Sequence, residues 1–245
     1  MSGHSKWNNI AKRKGANDAK KAAIFTKIGR KMAVAIKEGG SNNPDNNAKL
    51  RDCIAEAKAN NVPNDNIKRM LDKGNQSNVS YESNTYEGYG PSGIAVICET
   101  LTDNRNRTVA DVRHYFDKFG GNLGTSGCVS FMFSEKGVLV LENNGLDEDQ
   151  VMEDCFDAGA DDFDMGDDVV EVTCSPDSFS DVRQKLEEKG YTFISAEVEM
   201  VPSTTTPITD PDAQAQMAKL LDALDDDDDV QNVWHNLENE EDLDR

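Results

Sequence analysis

Residues 94–121, IAVICETLTDNRNRTVADVRHYFDKFGG, place one strand and one helix in direct succession. The apolar and β-branched run from Ile94 to Leu101 predicts a strand. Thr108 and Asp111 then form a capping-box pattern, apolar residues recur at helical spacing, and a Gly-Gly pair ends the helix. Because Cys128–Phe133 alternates like a second strand, the sequence predicts a β-α-β unit here.

The loop between this strand and its helix is dense in amide and guanidinium groups. It consists of Asp103, Asn104, Arg105, Asn106 and Arg107. Fork-shaped donors suit phosphate or peptide recognition, so the loop is a possible second contact site. A hydrogen-bonded turn in which one Arg pairs with a nearby carboxylate is an equally open interpretation.

Two stretches upstream of the strand are interpreted as connections. The polar residues 75–85 predict a linker. Residues 88–93, GYGPSG, match the GxGxxG pattern of dinucleotide-binding loops. Such a loop opens a helix, whereas this one leads directly into the strand at Ile94, so we interpret it as a turn.

The chain after this unit alternates strands and helices again. Strands are predicted at Val138–Leu141, Val169–Cys174 and residues 194–200, with one helix between the first two and another before the third. This order suits a ferredoxin-like sandwich with two helices on one face of a sheet. A helix from Asp210 and a short strand within DDDDDVQNVWHNL then supply what the earlier β-α-β unit lacks.

The sequence therefore predicts an α+β fold: an N-terminal three-helix domain followed by two α/β (ferredoxin-like) domains, one inserted into the other. Residues 1–79 form a basic helical domain with a flexible N-terminal arm. Residues 80–134 plus 203–240 form a discontinuous α/β domain, and residues 135–202 form an acidic ferredoxin-like domain.

The five consecutive aspartates Asp225–Asp229 raise the question of a cation site. Neither their spacing nor a Gly bend resembles a calcium loop. We therefore predict a solvated acidic loop at this position and no metal site.

Three helical patterns account for the N-terminal domain. The first runs from about Asp18 to Glu38, the second ends near Asn60, and the third begins at Pro63 and is stopped by Gly74. The first is amphipathic, with Phe25, Ile28 and Met32 on the side that would pack.

Positive charge is concentrated in this same part of the chain. Residues 1–73 contain sixteen Lys and Arg against seven Asp and Glu, a balance of +9. Because the whole chain has a net charge of −20, the remainder carries −29. Salt screens charges over about 10 Å, so a local basic surface can attract a polyanion although the whole protein is acidic.

We predict that a basic arm and one face of the first helix bind nucleic acid. The predicted contacts are Lys6, Trp7, Lys12, Arg13, Lys14, Lys20, Lys27, Arg30, Lys31 and Lys37. A solvated helix face remains the alternative for the helical members. Trp7 would either stack on an exposed base or cover the helical core.

Composition and motifs restrict the other function classes. The five widely spaced cysteines form no CxxC pair, which predicts reduced thiols in a cytosolic protein. An apolar leader and an 18-residue apolar run are both lacking, so we expect a cytoplasmic protein without membrane contact. No P-loop, HExxH or GxSxG motif occurs, and we expect neither enzymatic activity nor a cofactor. The oligomeric state is left open.

Four stretches resemble the YebC/PmpR family of bacterial proteins and the related mitochondrial translational activator of cytochrome c oxidase. They are GHSKWNNIAKRKGANDAKKAAIFTKIGRKM, YGPSGIAVICETLTDNRNRT, GGNLGTSGCVSFMF and DDVQNVWHN, and they recur in order over nearly the whole chain. The resemblance implies a helical N-terminal domain and two α/β domains. It also implies that the basic N-terminal segment and the TDNRNRT loop, Thr102–Thr108, belong to the family pattern.

The resemblance further implies a role in gene expression, although no helix-turn-helix signature is visible. Many members are described as probable DNA-binding transcriptional regulators, and some as ribosome-acting factors that relieve stalling, for example at proline runs. We therefore expect a non-enzymatic nucleic-acid-binding regulator of gene expression, namely a DNA-binding transcriptional regulator. The alternative is a translation factor that binds rRNA on the ribosome.

Overall fold

The computed structural model describes residues 18–76, 80–243 and 245 of the chain. These residues divide into two compact units. One contains Ser134–Val201, and the other contains residues 18–58, Val62–Phe133 and Pro202–Arg245.

Three helices come first in this second-named unit, and we call them the helical stretch. They are α1 (Asp18–Gly39), α2 (Ala48–Ala59) and α3 (Asn64–Gln76). Their buried apolar residues form one cluster, which consists of Ile28, Met32, Ala35, Ile36, Leu50, Ala57, Val62 and Ile67. The buried side chain of Asn47 holds the turn between α1 and α2. Its amide donates to the carbonyl oxygen of Ala35 at 2.7 Å, and its Oδ1 accepts from the backbone N–H of Leu50 at 3.1 Å.

The same unit contains a four-stranded antiparallel sheet. Its strands are β1 (Glu82–Tyr89), β2 (Ala95–Thr102), β3 (Asn122–Leu123) and β8 (Val230–His235), in the order β3-β1-β2-β8. Helices α4 (Arg105–Lys118) and α7 (Pro211–Asp225) contribute to one buried cluster with this sheet. Val96 and Cys98 of β2 belong to that cluster because side chains two residues apart share a face of a strand.

Strand β1 lies where the sequence predicted a linker and a turn. Its polar sequence, ESNTYEGY, has weak strand propensity, but all eight residues pair with β2, from Glu82 opposite Thr102 to Tyr89 opposite Ala95. Pairing with a neighbour that is buried at seven of its eight positions therefore outweighs local preference. The turn between them at Pro91–Gly93 is the GPSG segment, as the sequence predicted.

The predicted strand at Cys128–Phe133 is wrong. Ser130–Met132 forms a single 3-10 turn, and the short return strand of this unit is β3 instead. The backbone N–H groups of Val129 and Ser130 donate to the carboxylate of Glu87 at 2.9 and 2.8 Å. Because these donors are used by a side chain, they cannot join a strand ladder.

The second unit has its own four-stranded sheet and two helices. The strands are β4 (Phe133–Glu142), β5 (Asp162–Met165), β6 (Val169–Cys174) and β7 (Phe193–Pro202), in the order β5-β6-β4-β7. Helices α5 (Glu148–Ala158) and α6 (Phe179–Glu188) share a buried cluster with the sheet. The β-α-β-β-α-β order is that of a ferredoxin-like fold.

Strand β5 is an addition to the sequence-based prediction. Its sequence, DFDM, contains two aspartates and is only four residues long, so no strand signal stands out. It pairs antiparallel with β6 from Asp162 opposite Thr173 to Met165 opposite Val170. With helices and two four-stranded sheets in place, the predicted α+β fold class is confirmed.

Candidate nucleic-acid interface and the Asp229 cluster

The predicted nucleic-acid contacts fall into two groups by position. Lys6, Trp7, Lys12, Arg13 and Lys14 lie outside the described residues. Lys20 lies in the first turns of α1, and the remaining four, Lys27, Arg30, Lys31 and Lys37, follow along the same helix.

Lys27 and Arg30 face the end of α7 and the loop that follows it. The Nζ of Lys27 donates to the carbonyl oxygen of Asp225 at 2.6 Å. The Nη1 of Arg30 donates to the carbonyl oxygens of Asp228 at 2.6 Å and Leu101 at 3.3 Å. These bonds attach the middle of α1 to the loop between α7 and β8.

Asp229 is the centre of this attachment. Its Oδ1 accepts from Arg30 Nη1 at 2.6 Å, and its Oδ2 accepts from Arg107 Nη2 at 2.7 Å. The hydroxyls of Thr108 and Thr102 donate to Oδ2 at 2.8 and 3.1 Å. We call these five residues the Asp229 cluster. It joins α1, β2, α4 and the loop before β8 through one carboxylate.

Asp229 is only 4% exposed, so its surroundings decide its charge. Burial alone would raise the pKa of its carboxyl group, but the hydrogen bonds from Arg107, Thr108 and Arg30 outweigh burial and hold the pKa below its usual range. Asp229 is therefore an anion in the folded protein, and each of its oxygens has a donor.

The prediction of a solvated loop at Asp225–Asp229 is therefore wrong for Asp229. Asp226 and Asp228 are exposed, but Asp227 is also engaged. Its Oδ1 accepts the backbone N–H of Asp229 at 2.8 Å, and its Oδ2 accepts the hydroxyl of Tyr115 at 3.1 Å. Burial and the neighbouring Asp227 carboxylate raise the pKa of Tyr115 to about 12.

Arg245 forms ion pairs with two acidic residues of α7 and with Glu240. Its guanidinium donates to Asp222 at 3.1 Å, to Asp225 at 2.6 Å and to Glu240 at 3.2 Å. Part of the acidic charge of α7 is thus neutralised within the fold. No group of acidic, His or Cys side chains suited to a metal ion occurs within the described part of the chain.

Lys31 and Lys37 have other partners. Lys31 Nζ lies 2.9 Å from Glu56 Oε1 of α2, with both side chains largely buried. Lys37 is exposed, and its Nζ donates to Ser80 Oγ at 3.0 Å. Among the predicted helical contacts with described side chains, only Lys37 is exposed, whereas the others are half-buried against protein groups. Their role as nucleic-acid contacts stays a prediction.

The Asp103–Arg107 segment is a helix start more than a loop. Asn104 caps α4 by accepting the backbone N–H of Arg107 at 3.2 Å, so α4 begins at Arg105 and not near Thr108. Arg107 pairs with Asp103 at 3.0 Å as well as with Asp229. This geometry is the hydrogen-bonded turn that the sequence left open, while Arg105 and Asn106 remain exposed.

Helix α3 carries exposed cations that the sequence analysis did not single out. Lys68, Arg69 and Lys73 are exposed and take part in no ion pair within residues 18–76 and 80–243. Asp65 and Asp72 interrupt them on the same side of the helix, which leaves little net charge there. Their signal in the sequence is the i, i+4 spacing of Arg69 and Lys73 opposite the buried Ile67.

A second feature missed from the sequence is the segment between β3 and β4. The buried carboxylate of Glu87 accepts the backbone N–H groups of Gly127, Val129 and Ser130 at 2.8, 2.9 and 2.8 Å. Burial would raise the pKa of Glu87, but these three bonds hold it below its usual range. The loop is thus organised around one internal anion.

Phe131 projects from this loop. It is 76% exposed, the largest exposure among the large hydrophobic residues of the described chain. Tyr89 lies beside the loop, and its hydroxyl donates to the carbonyl oxygen of Cys128 at 3.1 Å. The backbone N–H and hydroxyl of Ser203 both donate to the carbonyl oxygen of Met132, at 2.8 and 2.9 Å.

A helical stretch joined through a buried carboxylate to a four-stranded sheet, followed by a ferredoxin-like unit, defines the class of fold. Two family models cover it: the TACO1/YebC protein N-terminal domain matches residues 5–77, and the TACO1/YebC second and third domain matches residues 81–237. The chain therefore belongs to the TACO1/YebC family, and the resemblance seen in the sequence is confirmed.

Relatives of similar length support this membership. A probable transcriptional regulatory protein of Ruminiclostridium cellulolyticum is 56% identical over 244 residues, covering 98% of each chain. One from Clostridium tetani is 55% identical over 241 residues, covering 97% of each. The crystal structure of a conserved hypothetical protein from Aquifex aeolicus superposes with a TM-score of 0.81 at 38% identity, covering 91% of this chain and 93% of that one.

Within the residues that the structure describes, no helix is both long enough and apolar enough to cross a membrane.

Proposed function

We propose that this protein is a cytoplasmic, non-enzymatic regulator of gene expression that binds nucleic acid, specifically a DNA-binding transcriptional regulator. The observation that carries the proposal is the charge distribution, with +9 in residues 1–73 and −29 in the remainder. A chain whose charge is divided in this way attracts a polyanion through its basic segment and repels it through the acidic remainder. The names of the related proteins support the regulatory part of the proposal.

The contacts within the fold suggest which cations meet phosphate. Lys27, Arg30 and Lys31 are engaged by protein oxygens at 2.6 to 2.9 Å. Moving them onto phosphate would first break these bonds. We therefore assign the phosphate contacts chiefly to the N-terminal cations, Lys6, Lys12, Arg13, Lys14 and Lys20, with Trp7 among them. Arg30 and Lys27 serve instead to fix the helix that follows.

The test compares three triple variants at equal change of net charge. The first replaces Lys12, Arg13 and Lys14 with Ala, and the second replaces Lys27, Arg30 and Lys31 with Ala. The control replaces Arg113, Lys136 and Lys219 with Ala. These are three exposed cations outside the helical stretch. Affinity for a labelled 30-base-pair duplex is measured by fluorescence anisotropy between 50 and 300 mM salt.

The slope of log affinity against log salt counts phosphate contacts, at about 0.9 for each contact on duplex DNA. We expect the first variant to flatten the slope by about 2 to 3. The second variant should change stability more than slope, and the control should change neither. An unchanged slope in the first variant would refute the assignment of the arm.

The second candidate is a translation factor that binds rRNA. The sequence shows no helix-turn-helix signature that would read the bases of a duplex. A basic arm without such an element suits structured RNA at least as well as duplex DNA. A competition separates the two: labelled protein at physiological salt is offered ribosomes and excess duplex DNA, and the bound fractions are separated by sedimentation. Cosedimentation with ribosomes supports the translation factor, and sequence-dependent retention on DNA supports the transcriptional regulator.

A further inference from the structure

The stretch from Gly120 to Ser134, GGNLGTSGCVSFMFS, is unusual in this chain because it contains no charged residue, whereas 29% of the whole chain is charged. Its residues 124–127 and Phe131 are exposed. On a protein with a net charge of −20, this exposed segment presents no carboxylate of its own to a polyanion.

The segment is held in place from two sides. Glu87 fixes three of its backbone N–H groups, and Ser203 fixes the carbonyl oxygen of Met132. Phe131 therefore projects from a loop that is already ordered, so binding a ligand would cost little conformational entropy in this loop.

The size of the apolar surface indicates what kind of ligand fits. Phe131 is 76% exposed, and Tyr89, whose hydroxyl donates to Cys128 of the same segment, is 37% exposed. One aromatic side chain offers about 150–250 Å², whereas a stable protein interface buries about 800 Å² on each partner. A single planar group is the better match, and an unpaired nucleobase is a planar group attached to a polyanion.

We propose that Phe131 is a stacking site for an unpaired base of the bound nucleic acid. This inference rests on the proposed function, because it assumes that nucleic acid binds at all. Bases within a duplex are already stacked on each other, so Phe131 would add affinity only for single-stranded, bulged or flipped-out nucleotides. The site thus selects for strand separation, while the basic arm supplies affinity for any phosphate backbone.

The experiment uses the full chain and two fluorescein-labelled probes, a mixed-sequence 20-nucleotide single-stranded DNA and its blunt duplex, in 150 mM salt. Four proteins are compared: wild type, Phe131→Ala, Phe131→Leu and Phe131→Trp. Since Phe131 is exposed, all four should fold, and far-UV circular dichroism verifies it. We expect Phe131→Ala and Phe131→Leu to bind the single strand roughly 5- to 100-fold more weakly than wild type, and Phe131→Trp to bind it as wild type does. The affinity of all four proteins for the duplex should agree within twofold.

Three results would overturn the inference. Single-strand affinity of Phe131→Ala within twofold of wild type would show that the ring is not used. If Phe131→Leu bound the single strand as tightly as Phe131→Trp, the ring would make an apolar contact and would not stack on a base. If Phe131→Ala lost as much affinity for the duplex as for the single strand, the site would not select unpaired bases. If wild type bound neither probe, the proposed function would fail together with the inference, whereas the three results above refute the inference alone.

Discussion

Replacing Asp229 with Asn tests whether the Asp229 cluster fixes α1 to the rest of its unit. Asn has nearly the same shape but no charge, and its amide group is a donor where Asp229 has only acceptors. The side chain of Asp229 is 6% exposed and that of its partner Arg30 is 17% exposed. The substitution therefore leaves a poorly hydrated guanidinium without its counter-ion.

Breaking a buried ion pair by removing one partner typically costs about 3–5 kcal/mol. Arg30 keeps two acceptors, the carbonyl oxygens of Asp228 and Leu101, which places the loss near the lower limit. The pair with Arg107 adds little, because that side chain is 47% exposed and water screens the interaction. We expect Asp229→Asn to lower the free energy of unfolding by about 3 kcal/mol, or Tm by about 6–12 °C.

Urea unfolding followed by tryptophan fluorescence measures this loss. Trp7 and Trp234 are the two tryptophans of the chain, so a Trp7→Phe background leaves only Trp234, in β8, as reporter. Asp228→Asn is the matched control, since it makes the same chemical change at the neighbouring exposed residue. If the two variants differed by less than about 0.5 kcal/mol, the extent expected of ordinary surface changes, the cluster would not stabilise the unit.

Three further substitutions or conditions follow from the same contacts. Thr108→Val removes the hydroxyl that lies 2.8 Å from Asp229 and should cost about 1–3 kcal/mol in the same urea assay, whereas Thr85→Val at an exposed position should cost little. Glu87→Gln places an amide against three backbone donors and should cost about 1–3 kcal/mol or more, with the exposed Glu82→Gln as control. The folded-state pKa values of Asp229 and Glu87 are depressed below their unfolded values. The stability that these two carboxylates contribute is therefore complete above about pH 4 to 5 and is lost as the pH falls through the folded-state values. In urea unfolding at pH 6, 4 and 3, we expect the free energy of unfolding to fall less steeply with acid in Asp229→Asn than in wild type.

The helices and the fold class could be predicted from sequence because their signals are local. Apolar spacing, caps and stop residues indicated α1 from about Asp18 to Glu38, and the structure has Asp18–Gly39. Strand β1 could not be predicted in this way, because ESNTYEGY contains few strand formers and is held by its pairing with β2. Partner-dependent strands leave little trace in their own sequence.

The site was harder to predict than the fold for a related reason. A pattern of Lys and Arg at helical spacing predicts which residues share a face, but not which other part of the chain covers that face. Arg30 and Asp229 are 199 residues apart, and they meet because β8 pairs with β2 and α1 packs against the loop before β8. The five aspartates suggested a uniform solvated run, yet one of them is buried because its neighbours supply four donors.

The cations of α1 and of the arm should respond differently to salt, which separates their roles. Binding of phosphates by exposed cations releases counter-ions and weakens steeply with salt. The Arg30–Asp229 pair is largely buried and therefore shielded from mobile ions, so its contribution to stability should barely change. Between 50 and 500 mM salt, we expect nucleic-acid affinity to fall by orders of magnitude while the difference in unfolding free energy between wild type and Asp229→Asn stays constant. A difference that shrinks in parallel with affinity would mean that Arg30 and Asp229 are solvated at the surface, and Arg30 would then be available to phosphate as the sequence alone suggests.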